Sequence, residues 1–90
     1  MSDIDDLLAS LHDHLEATEE RPLDNEANRW LGEAQAIAAD VDENELDSET
    51  TKERVEEILE LLDEVDGTGD DEADKHVAAA RRAANRVLDR

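Results

Sequence analysis

Three histidines, His12, His14 and His76, are the conventional general bases and nitrogen ligands in a chain that has no cysteine. His12 and His14 are two residues apart, which places them about 200° apart around a helix. They therefore flank opposite sides of any helical stripe and cannot share one ion. His12 with Glu16, and Glu72 with His76, have the i,i+4 spacing that builds half of a metal site. Neither pair has a third ligand at a useful spacing, and no Glu-x-x-His pair of the di-iron bundle kind occurs. The expectation is three histidines at the edge of a core, with no metal and no cofactor. Nucleophilic chemistry fares no better, since Ser2, Ser10 and Ser48 read as caps or surface and no Gly-x-Ser-x-Gly turn is present. Residues 67–71, Gly-Thr-Gly-Asp-Asp, lack the P-loop lysine and put acids where phosphate would sit. Carboxylate pairs carry no information among 28 acids, because some pair lies at any chosen distance. No catalytic residue is expected, and the chain does not read as an enzyme.

The elements that would position these residues are helices. Ile4, Leu7, Leu8, Leu11 and Leu15 recur at spacings of three and four, predicting a helix over about 3–19. Ser2 followed by Asp5 gives it a capping signal, and Pro22 ends it near Arg21. A second helix over about 24–40 carries Ala27, Trp30, Leu31, Ala34, Ile37, Ala38 and Val41 on one stripe, with Trp30, the sole aromatic residue, expected to anchor the core. Residues 41–47 supply a polar connection, and Leu46 before a cap at Asp47 or Ser48 looks like half of a hydrophobic staple. A third helix over about 49–65 has Val55, Ile58, Leu59, Leu62 and Val65 inside, with Leu61 off the stripe. Two glycines, Gly67 and Gly69, mark a loop whose Thr68 or Asp70 can cap the next helix. That fourth helix, about 70–88, has an alanine-rich inner face of Ala73, Val77, Ala80, Ala84, Val87 and Leu88, which predicts close approach to its neighbours. The reading is one all-α domain over 1–90, a four-helix antiparallel bundle with short loops.

Two surfaces stand out from that frame. Gly32, Ala36 and Ala39 form a narrow stripe of small residues on the second helix, opposite its apolar face. Gly32 either permits close approach of another backbone or is a tolerated surface choice, at roughly 0.5 to 1 kcal/mol relative to alanine. Charge is also unevenly spread. Residues 1–74 carry 27 acids against Arg21, Arg29, Lys52 and Arg54, whereas residues 75–90 carry five basic residues against Asp89. Lys75, Arg82, Arg86 and Arg90 fall along one side of the fourth helix. They either complement the helix dipole and pair with acidic helices nearby, or present a docking stripe for an acidic partner or nucleic acid. No aromatic residue is interleaved to stack on bases.

The net charge of −19 with a mean hydropathy of −0.80 would ordinarily place a chain among disordered segments, yet the 3.6-residue periodicity is clear. Both facts fit a working solvent of concentrated potassium salt, where a Debye length of about 3 Å at 1 M removes most self-repulsion. Lysine is scarce, at two residues against seven arginines. In composition and helix pattern the chain resembles the small, acidic, all-helical proteins of uncharacterised function found in salt-accumulating archaea, a resemblance that implies a habitat and no mechanism. No apolar run exceeds four residues, far short of the roughly 20 needed to cross a bilayer, and the acidic first 20 residues do not form a signal peptide. The expected protein is cytoplasmic, without membrane partners. Its expected role is a non-enzymatic protein-interaction module, self-associating or binding another protein. The alternative is a nucleic-acid-associated regulator working through the basic fourth helix.

Overall fold

A computed structural model describes residues 3–44 and 47–89. Four helices follow in order: α1 (Asp3–Thr18), α2 (Asn25–Glu43), α3 (Ser48–Asp63) and α4 (Asp71–Leu88). They pack as an antiparallel bundle in which α1 lies against α2 and α4, and α3 lies against the same two. The expected cap at Ser2 and the staple at Leu46 lie outside the described residues, as does Arg90.

The leucine stripe of α1 buries Leu8, Leu11 and Leu15, with Ile4 and Leu7 half-buried at its margin. Thr18 continues that stripe into the core with its hydroxyl donating to the Leu15 carbonyl at 2.6 Å. This bond satisfies a polar group that burial would otherwise penalise. The chain then leaves α1 through tight i to i+3 turns at Glu19, Glu20 and Arg21, and Pro22 follows.

Proline does not take the first helical position of α2. Asp24 is the N-cap residue, without a side-chain cap bond, and its amide donates instead to the Thr68 carbonyl at 2.9 Å. At the other end α2 runs to Glu43, a turn beyond the expected end near 40, because Val41 still faces the core and is buried. Asn44 closes it, its side-chain amide donating to the Asp40 carbonyl at 2.8 Å. Asp47 caps α3 by accepting from the Thr50 amide at 2.7 Å.

The core centres on Leu11, Leu15, Leu31, Ile58 and Leu62, all fully buried. Trp30 is not its anchor. The mid-line of the α2 stripe is Leu31, Ala34, Ala38 and Val41; Trp30 and Ile37 fall on the edge facing α3 and stay half-buried. On α4, Ala73, Val77, Ala80, Ala83, Ala84 and Val87 are buried. Small side chains there let α4 pack closely between α1 and α3. Among the described residues, no helix is long and apolar enough to cross a membrane.

Candidate functional site

Histidines bridge helices on both flanks of α1. His12 turns toward α2, with Nδ1 3.3 Å from an Asp42 carboxylate oxygen and Nε2 3.5 Å from the Gln35 amide nitrogen. A proton on Nδ1 donated to Asp42 leaves the Nε2 lone pair for the Gln35 amide. Glu16 stands 3.7 Å from Nε2, and one ligand atom each from His12, Asp13 and Glu16 falls within 4.8 Å of the others. Asp13 and Glu16 are exposed.

His14 faces the opposite way, as its spacing requires, and meets His76 of α4. Their Nδ1 atoms are 3.0 Å apart, partly buried, with ring centroids 5.3 Å apart and planes tilted by 37°. One nitrogen donates and the other accepts, so the two rings are in different tautomers or share one proton. Helical spacing alone pairs His76 with Glu72 instead. Glu72 pairs loosely with Lys75 at 3.8 Å, both more than half exposed. The 62-residue separation of the two histidines leaves no periodic trace, so only packing of α1 on α4 reveals the pair.

The small-residue stripe of α2 divides. Ala36 is exposed, whereas Gly32 and Ala39 are half-buried on the face that carries Gln35 and Asp42 toward His12. A Cβ placed on Gly32 would meet nothing within 4 Å. Within this chain no backbone approaches Gly32 closely, so the space beside the stripe is left open.

The neighbouring face of α2 forms a groove with α3 of about 460 Å³, lined by Trp30, Ile37 and Leu61 and by Glu33, Glu57, Glu60 and Glu64. Leu61, off its helical stripe, is half-buried and forms one wall. The Arg29 guanidinium sits 4.9 Å from the Trp30 ring centroid, within cation–π range. The indole Nε1–H is buried without an acceptor among the described residues. Trp30 is thus held by packing and by Arg29, with no hydrogen bond to fix it.

Basic residues of α4 meet two fates. Arg81 reaches Asp63 of α3 at 2.7 Å and Lys75 pairs with Glu72. Arg82 and Arg86 are exposed, and among the described residues neither has an ion pair. The side chains around them on that outer face are Ala78, Asn85 and Asp89.

The loop before α4 is built as a clamp. The Asp70 carboxylate caps α4 at the Ala73 amide, 3.0 Å, and receives Arg21 through two bonds of 2.9 and 3.1 Å. The Arg21 hydrogen bond and the cap together hold the Asp70 carboxyl below its ordinary range, and Asp70 raises Arg21 in return. Buried Thr68 receives the Asp70 amide on its hydroxyl at 3.1 Å, and its own amide donates to Asp74 at 2.9 Å. This network ties the close of α1 to the start of α4.

A family described as "Domain of unknown function (DUF8152)" matches residues 7–90, and the chain belongs to that family. No curated protein and no solved structure matches it.

Proposed function

We propose that this family member is a non-enzymatic interaction module whose α2–α3 groove receives an amphipathic helix from a protein partner with basic flanks. The observation that supports it is the groove itself: an apolar floor of Trp30, Ile37 and Leu61 inside a rim of four glutamates. Apolar pockets with a tryptophan are where binding energy concentrates, and a one-sign rim selects partners of the opposite charge. Leucine-type anchors at helical spacing fill the floor while flanking lysine or arginine meets Glu33, Glu57, Glu60 and Glu64.

A second copy of this chain is a poorer occupant. Its own basic face, on α4, surrounds Arg82 and Arg86 with Ala78 and Asn85 and offers no large apolar side chain. Trp30 is the only aromatic residue, so its fluorescence reports on the groove alone. Titration in molar KCl with a leucine–lysine amphipathic peptide is expected to shift the emission to the blue and saturate, with Leu61→Asp abolishing the response. Emission that stays constant, or that shifts equally in Leu61→Asp, would refute the reading.

The nucleic-acid alternative rests on Arg82 and Arg86, exposed and without an ion pair among the described residues. Phosphate binding through so few cations is weak and strongly salt-dependent. Binding of duplex DNA that disappears in Arg82→Glu/Arg86→Glu would establish it, and absence of binding by the parent chain would end it.

A further inference from the structure

We infer that His14 and His76 form a two-histidine site for a divalent transition-metal ion, tying α1 to α4. Metal–imidazole bonds of about 2.0 to 2.1 Å place two cis nitrogens about 2.9 to 3.4 Å apart. The Nδ1 atoms of His14 and His76 are already 3.0 Å apart. They come from different helices and are partly buried, so the spacing is set by the packing of the bundle. With ring centroids 5.3 Å apart the two nitrogens point at each other along their hydrogen bond, so binding an ion turns both rings until their lone pairs converge beside that line.

Proton accounting is simple for the neutral pair. Before binding, one ring carries its proton on Nδ1 and donates it to the other. On binding, that proton is lost from Nδ1 and the same ring takes one up at Nε2, so both Nδ1 lone pairs face the ion and no net proton is released. Two imidazoles favour zinc, nickel, cobalt or copper over magnesium and calcium, which prefer oxygen ligands. The remaining coordination positions belong to water. With two protein ligands the site exchanges its ion readily, unlike the closed four-ligand sites that hold structural zinc.

The cluster of His12, Asp13 and Glu16 is the weaker candidate. It offers one imidazole, its Nδ1 is engaged by Asp42, and its carboxylates are exposed. It nevertheless sets the control. Nickel or zinc would be titrated into the full chain in molar KCl with excess magnesium, which occupies unspecific carboxylates, and followed by calorimetry and by imidazole ¹⁵N resonances. The expected result is uptake of a single ion with perturbation at Nδ1 of His14 and His76. Uptake persists in His12→Ala and is lost in His14→Gln and in His76→Gln, whose folding is checked by circular dichroism. Uptake that survives both glutamine variants, that vanishes in His12→Ala, or that never occurs would overturn the inference. The imidazole resonances of the unaltered chain decide the matter even if a variant fails to fold.

Discussion

At the scale of single residues, Gly32 shows how little a sequence neighbourhood says about a side chain's surroundings. Two small residues one and two turns further on suggest a crowded interface, but the space around its missing Cβ is open. Glycine there only widens the unfolded ensemble. Gly32→Ala is therefore expected to stabilise the chain by about 0.5 to 1 kcal/mol in chemical denaturation at high salt. A loss of stability would instead reveal a backbone contacting Gly32 from another molecule, detectable as association in light scattering. Gly69 is the opposite case: its φ of 83° strains any L side chain, and a Cβ on it would lie 2.8 Å from an Asp24 carboxylate oxygen, so that carboxylate would have to move aside.

At the scale of elements, the connection before α4 does more than link two helices. Asp70 ends one loop, caps α4 and holds Arg21 at the close of α1, while the Asp24 amide bonds to Thr68. Because folding keeps the Asp70 carboxyl below its ordinary value of 3.8, its ionised form is favoured in the folded chain. Its contribution is present above that ordinary value and is lost as pH falls through the lower folded one. The melting-temperature gap between the parent chain and Asp70→Ala is thus expected to be widest near neutrality and to close on acidification below 3.8. A gap that does not change with pH would show that the carboxylate's charge is irrelevant to the clamp.

The helices themselves were legible because burial follows a 3.6-residue period, as Leu8, Leu11 and Leu15 on α1 and Val55, Ile58 and Leu62 on α3 show. What periodicity cannot encode is which edge of a stripe meets which neighbour. Trp30 lies one residue from Leu31, yet that step moves it from the core to a groove. The groove was legible only in part, through the misfit of Leu61, since its acidic rim comes from two helices. The His14–His76 contact was illegible for the same reason: it belongs to the α1–α4 interface, and neither helix alone contains it.

At the scale of the whole molecule, the radius of gyration is 12.1 Å, the value of about 12 Å expected for a compact domain of this length. The unfolded chain would spread to about 30 Å. Folding therefore draws 28 carboxylates into a much smaller volume with only 9 lysines and arginines to offset them. Nine basic side chains cannot each neutralise three carboxylates, so the excess of acid remains even with bridges such as Arg21–Asp70 and Arg81–Asp63. Repulsion thus opposes compaction across the whole surface, while a small, alanine-rich core supplies limited burial against it. Screening decides the balance: a Debye length of about 30 Å at 0.01 M spans the entire bundle, whereas about 3 Å at 1 M isolates neighbouring charges. Helicity measured by circular dichroism is expected to fall on dialysis into dilute buffer and to return with KCl. Potassium and sodium chloride at equal ionic strength should restore it alike, because screening depends on charge concentration and not on the identity of the cation. Full helicity in dilute buffer would show that core packing alone outweighs the repulsion, and the surface charge would then need another explanation.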